Sequence, residues 1–113
     1  MNELIQIVET SGLEKTKAQT MLEKFTNFFE QAKEWESKAK TIVVTDVSQV
    51  IEMNQARSAR LELKLIRSNT ENTRKELKEQ SLREGKAIDG IANVIKALVV
   101  PIEEYLEKQE KFA

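Results

Sequence analysis

Ala59-Arg60-Leu61-Glu62-Leu63-Lys64-Leu65-Ile66-Arg67 carries two apolar rows at once. One row is Ala59, Leu63 and Ile66, continued by Thr70, Thr73 and Leu77 at an average step of 3.5 residues. That repeat belongs to a helix packed along a neighbouring helix in coiled-coil fashion. Leu61 and Leu65 point nearly the opposite way at about 100° per residue, and Val47, Val50 and Ile51 fall roughly on their side. The simplest expectation is a helix sandwiched between two others of the same chain. The alternative is that Leu61, Leu65, Val47 and Ile51 form an oligomer or partner face.

Downstream, Ile88, Ile91, Ile95, Leu98, Ile102 and Tyr105 repeat the spacing with stronger residues. Between the two seams the register falls on Gln80, Ser81 and Glu84, followed by Gly85, so the seam has a polar gap. Two architectures follow. Either the chain reverses near 81–86 and gives two long helices, or one helix runs from Val47 towards Phe112 for about 100 Å and must dimerise. The reversal is preferred, because it makes the long helices comparable in length. Pro101, inside the second seam, removes one helical hydrogen bond and crowds the carbonyl four residues back, which predicts a kink near 97–101.

Upstream, residues 1–12 read as a short helix bearing Leu4, Ile5, Ile7 and Val8, broken at Ser11-Gly12. Ser11 with Glu14 has the spacing of a capping box for the next helix. Residues 13–40 place Ala18, Leu22, Phe25, Phe29, Ala32, Trp35 and Ala39 on one face, and the aromatics there read as core before binding surface. Thr41-Ile42-Val43-Val44-Thr45 is the one β-like stretch. It reads as an extended connector packed on helices, with a strand completed by a partner as the sharper alternative. Asp46 and Gln49 suit the cap of a helix over 46–83, and 86–112 forms the last helix. The expected fold is all-α: one domain over 1–113, an elongated helical hairpin or bundle of three long antiparallel coiled-coil helices. After Phe112-Ala113 no stop signal appears, so the sequence reads as the N-terminal part of something longer.

Composition narrows the chemistry. The 113 residues include no His and no Cys, three Gly and one Pro. Without His or Cys the usual zinc and iron–sulfur sites, thiol nucleophiles, imidazole acid–base pairs and disulfides are excluded. Glu103, Glu104, Glu107 and Glu110 read as a solvated acidic face. Gly85-Lys86 and Asp89-Gly90 lack the spacing of a phosphate loop. The expectation is a non-enzymatic protein with no catalytic residues, no metal, no cofactor and no small-molecule substrate. The longest uncharged apolar run, Ala97 to Ile102, is far short of the roughly 18–20 residues of a membrane span, and Met1 to Gln6 does not open a signal peptide. A cytoplasmic protein with no membrane partner is expected.

Net charge is −1, but its distribution is uneven. Residues 1–46 carry six basic and eight acidic groups, 47–88 nine and six, and 89–113 three and five. Every arginine (Arg57, Arg60, Arg67, Arg74, Arg83) lies in the middle block. Arg57, Arg60, Lys64, Arg67, Arg74, Lys75 and Lys78 fall within one arc of about 100° beside the seam. Such a stripe suits a nucleic-acid backbone or an acidic partner. Equally, arginines that flank a coiled-coil seam pair with glutamates of the facing helix, and Glu71 can pair within its own helix. No aromatics interleave the stripe, so any DNA contact would be to backbone.

Arg74-Lys75-Glu76-Leu77-Lys78, Gly85-Lys86-Ala87-Ile88-Asp89 and Val100-Pro101-Ile102-Glu103 bring in a resemblance. With Val43-Val44-Thr45-Asp46 leading into an Ala56-Arg57-rich helix, the chain resembles uncharacterised coiled-coil proteins of tailed bacteriophages and prophages encoded near replication and recombination genes. The resemblance covers about residues 40–112. It implies a phage origin and hence the cytoplasm of a bacterial host, and it brings no catalytic residues. Two functions are therefore expected in competition. One is a phage early accessory protein acting on DNA or on a host DNA-processing enzyme, in the manner of nuclease inhibitors, through the basic stripe. The other is a coiled-coil scaffold or anti-defence adaptor binding a bacterial protein through apolar helix faces.

Overall fold

The computed structural model describes residues 2–10, 12, 14–80 and 84–113. They form four α-helices: α1 (Asn2–Thr10), α2 (Lys15–Lys38), α3 (Val50–Gln80) and α4 (Gly85–Glu110). No strand occurs among the described residues. The body is elongated, 55 × 25 × 16 Å, as expected of long helices sharing a thin core.

Each helix forms because its apolar residues recur every three or four positions and find neighbours. In α1, Leu4 and Val8 are one turn apart and both buried, and the Thr10 hydroxyl lies 3.1 Å from the Ile7 carbonyl, one of the last four acceptors of the helix. Gly12 has φ +72°, a left-handed conformation that glycine adopts without cost. Ser11 and Leu13 lie outside the described residues, and with them the expected Ser11 cap. Glu14 stands at the N-cap position of α2 and makes no side-chain capping bond.

Along α2 the buried residues are Met21, Phe25, Phe29 and Ala32. Phe25 is fully buried, a stabilisation of about 1.5–3 kcal/mol by area. Phe28 and Trp35 are only half-buried. The helix tightens into a 3-10 turn at Ala39–Thr41, and Ile42 turns the backbone extended. The connector then behaves as a packed strap: Val44 is buried and Val43 exposed. Two residues of α4 hold it. The Tyr105 hydroxyl donates to the Ile42 carbonyl (2.8 Å), and the Val44 N–H donates to Gln109 Oε1 (2.8 Å).

The expected capping bonds at Asp46 are made, yet the helix starts later than they suggest. Ser48 N–H donates to Asp46 Oδ1 (3.0 Å), and Asp46 N–H donates to Gln49 Oε1 (2.9 Å). The turn they close does not continue: Val50 N–H returns to the Ser48 carbonyl, and regular α3 begins at Val50. Val47 is therefore in the turn ahead of the helix.

The inner face of α3 is the predicted seam. Ala59, Leu63, Ile66 and Thr70 are buried, with Ala56 added, and Thr73 and Leu77 are half-buried. The buried Thr70 hydroxyl donates to the Ile66 carbonyl (2.8 Å), so its burial costs no unpaired polar atom. In α4, Ile88, Ile91, Ile95 and Ile102 are buried as the spacing predicts, but Leu98 and Tyr105 of the expected seam are only half-buried. Val99 and Leu106, one position further on, take the core places, with Ala92 beside them. Helical structure runs through Pro101 to Glu110. The expected reversal at 81–86 includes residues 81–83, outside the described residues. On either side of it, Lys78 Nζ reaches Asp89 Oδ2 (2.8 Å), so α3 and α4 lie against each other there. Small residues set the approach of α1: a Cβ on Gly90 would stand 3.1 Å from Ile7 Cγ2.

Candidate binding faces of the long helix

Both candidate sites lie on α3, and the packing of α4 treats them differently. On one flank a ladder of ion pairs ties α3 to α4. Arg60 Nε donates to Glu110 Oε2 (2.6 Å) and its Nη2 to Oε1 (3.2 Å). Arg67 Nε donates to Glu103 Oε1 (2.7 Å), Arg74 Nη1 to Asp89 Oδ1 (3.2 Å), and Lys78 Nζ to Asp89 Oδ2. Partner numbers fall along α4 as they rise along α3. Arg74 also grips Glu71, three residues back in its own helix, with Nε at 3.0 Å from Oε2.

These bonds shape the titration of the groups involved. Hydrogen bonding to Lys78, then to Arg74, holds the Asp89 carboxyl below its ordinary range against the opposing effect of desolvation. Arg60 does the same for Glu110, and Arg74 for Glu71. The guanidinium groups of Arg60, Arg67 and Arg74 are held above their ordinary value, chiefly by bonds to Glu110, Glu103 and Glu71 respectively. Such a ladder uses its charges on itself.

Of the seven stripe residues, four are thus bonded across to α4: Arg60, Arg67, Arg74 and Lys78. Arg57 is mostly exposed and stands 3.7 Å from Glu110. Lys64 and Lys75 are exposed, and no ion pair reaches them among the described residues. The acidic residues of α4 depart from expectation. Glu104 and Glu107 are exposed, but Glu103 and Glu110 have side chains only 16% and 15% exposed and serve the ladder. Asp89 had no assigned role in the sequence, although its spacing from the seam residue Ile88 places it at a flanking position.

The opposite face is bare. Leu61 and Leu65, expected between helices, are 44% and 56% exposed, so the sandwich does not form. Leu63 and Ile66 take up the contact with α2 and α4, leaving the second row with no element to cover it. Val50 (57%) and Ile51 (71%) are exposed at the start of the same helix, and Val47 (61%) is exposed in the turn ahead of it. At about 100° per residue, the midline of this row lies roughly 150° from the midline of the buried row. Near its N-terminal end a shallow groove between α2 and α3 is lined by Trp35, Ile42, Ile51, Ser58 and Glu62. Lys38 stacks its ammonium 4.5 Å from the Trp35 ring centroid, covering one face of that ring. Cations edge the row on one flank (Arg57, Lys64) and Glu62 on the other.

Among the described residues no cluster of acidic side chains is arranged to hold a metal ion, and no helix is long and apolar enough to cross a membrane. No protein-family model matches the chain, and neither a curated protein nor a solved structure matches it.

Proposed function

We propose that this chain is a non-enzymatic coiled-coil scaffold that works by holding another helix along the outer row of α3. Its three long helices act as an antiparallel coiled-coil bundle, with α4 and α2 stiffening the inner side of α3. The observation that carries this reading is the exposure of Ile51, Leu61 and Leu65 on one side of α3, with Val47 exposed in the turn just ahead of it. Single exposed apolar residues are ordinary, but a row of them at helical spacing marks a binding surface. The phage accessory role implied by the resemblance is compatible with a scaffold of this kind.

A second reading, contact with DNA or with a DNA-processing enzyme, is favoured by the exposure of Arg57, Lys64 and Lys75. It has weaker support, because the other four stripe cations are bonded to α4 carboxylates. Breaking those bonds to reach phosphate would cost the ladder.

Mobility-shift titration with duplex DNA, run over a series of salt concentrations, separates the two. The scaffold reading expects no salt-dependent shift, and expects Leu61→Arg with Leu65→Arg to abolish whatever protein association the chain shows. A steep salt dependence lost in Arg57→Ala, Lys64→Ala, Lys75→Ala would reverse the order of the two readings.

A further inference from the structure

We infer that the outer row of α3 pairs with the same row of a second copy of this chain, side by side and in the same direction. This rests on the scaffold reading and names the helix that covers the face. The residues involved are Ile51, Asn54, Ser58, Leu61, Leu65 and Ser68, with Asn72 at the end. Their steps are three, four, three, four, three and four, the seam of a two-stranded coiled coil on the outer side of α3. At its N-terminal end Ile51, Asn54 and Ser58 also edge the groove towards α2. Every seam residue from 51 to 72 is uncharged, and the next two positions, Lys75 and Glu79, are charged. The contact therefore has a natural end one turn after Ser68.

Self-pairing suits this pattern because the apolar and polar positions are not evenly spread. Ile51 and Leu61 are separated by Asn54 and Ser58, and Leu65 is followed by Ser68 and Asn72. A foreign helix would need the same alternation to avoid setting a leucine against an amide. A second copy in register supplies it: isoleucine meets isoleucine, leucine meets leucine, and the Asn54 and Asn72 amides meet their own kind. Asparagine at a seam position fixes register and chain number at some cost in stability.

Charge chooses the direction. Arg57 flanks the seam on one side and Glu62 on the other, five residues later. In a pair running the same way, that offset brings each Arg57 to Glu62 of the second copy. Two heptads on, it brings Glu71 towards Glu76, where the Glu71 charge is already met by Arg74 of its own helix. With the second helix reversed, like flanks face each other. A reversed pair with Ile51 against Leu61 sets Arg57 against Arg57 and leaves Leu65 opposite the turn ahead of α3. A reversed pair centred between Leu61 and Leu65 sets Ile51 against Lys75. Arg57 is free to serve, since it is 65% exposed and makes only a 3.7 Å approach to Glu110 in its own chain. The apolar layers are few, so the pair should loosen on dilution.

Light scattering across a wide range of protein concentration tests this directly. The expected mass rises from 13.0 kDa towards twice that value as concentration increases. Leu61→Glu with Leu65→Glu should hold the chain at the monomer mass with unchanged helicity, because neither side chain is in the core. The absence of cysteine makes direction readable. Leu65→Cys alone should oxidise to a disulfide-linked pair. Linkage only when Ile51→Cys and Leu61→Cys chains are mixed would overturn the same-direction pairing. A chain at monomer mass at every concentration would overturn pairing altogether. If that monomer still binds a bacterial protein through Leu61 and Leu65, the scaffold reading survives without it. A dimer indifferent to the double substitution would sink both.

Discussion

Arg67 and Glu103 face each other across the α3–α4 boundary in a two-bond fork, Nε to Oε1 at 2.7 Å and Nη2 to Oε2 at 3.4 Å. The fork geometry is available only to arginine, and the glutamate end is shielded while the arginine end is 39% exposed. A pair at that depth gains from reduced screening without the full desolvation cost of the interior. Arg67→Ala and Glu103→Ala should each lower stability by roughly 1 kcal/mol, with a coupling of about 0.5–1 kcal/mol in the double-mutant cycle. Urea denaturation of the four proteins measures it. Arg67→Lys should recover only part, since lysine cannot make the fork.

Two leucines two residues apart should respond in opposite ways. Leu63 is fully buried and Leu65 is 56% exposed. Leu63→Ala should cost about 2–5 kcal/mol, by lost burial and the cavity left behind. Leu65→Ala should cost less than about 0.5 kcal/mol when the chain is dilute, because no core contact is removed. The urea midpoint of each variant at low protein concentration decides this.

Acid should weaken the ladder in one direction only. Asp89 and Glu110 are held below their ordinary pKa by Lys78 and Arg60. A carboxyl depressed in the folded state contributes stability above its unfolded pKa, about 4, and that contribution disappears as pH falls through the folded value. Thermal stability should be nearly flat from neutrality to about pH 5 and fall below it. With no histidine in the chain, no step is expected near pH 6–7 from imidazole. Asp89→Asn with Glu110→Gln should lower stability at neutral pH and flatten the acid limb, as followed by circular dichroism on heating.

The strap between α2 and α3 depends on two side chains of α4. Tyr105→Phe removes the bond to the Ile42 carbonyl and should cost about 1 kcal/mol. Gln109→Ala frees the Val44 amide, whose hydrogen exchange should accelerate while exchange in the middle of α3 is unchanged. Equal acceleration at both places would mean that the strap is not a local element.

Much of the fold is legible in the chain because helical periodicity is a local property. Ala59, Leu63, Ile66, Thr70 and Ile88, Ile91, Ile95, Ile102 are buried where their spacing puts them, whereas Leu98 and Tyr105 yield their places in the core to Val99 and Leu106. The pairing of flank arginines with glutamates was also visible as a possibility, since acidic residues recur in α4. Which glutamate meets which arginine was not, because that depends on how the two helices slide along each other. Nor could spacing reveal the Tyr105 and Gln109 bonds, which join residues more than sixty positions apart.

What the sequence determined alone was the absence of thiol and imidazole chemistry, the long helices, and two apolar rows on one of them. A helix with 3.6 residues per turn has room for two such rows, and spacing does not rank them. Tertiary structure made the choice. Packing of α2 and α4 covers Leu63 and Ile66, bonds Arg60, Arg67 and Arg74 to α4, and leaves Leu61 and Leu65 in water. The physical reason is that three helices about a shared core can bury only their facing sides, so a second row on α3 stays in water.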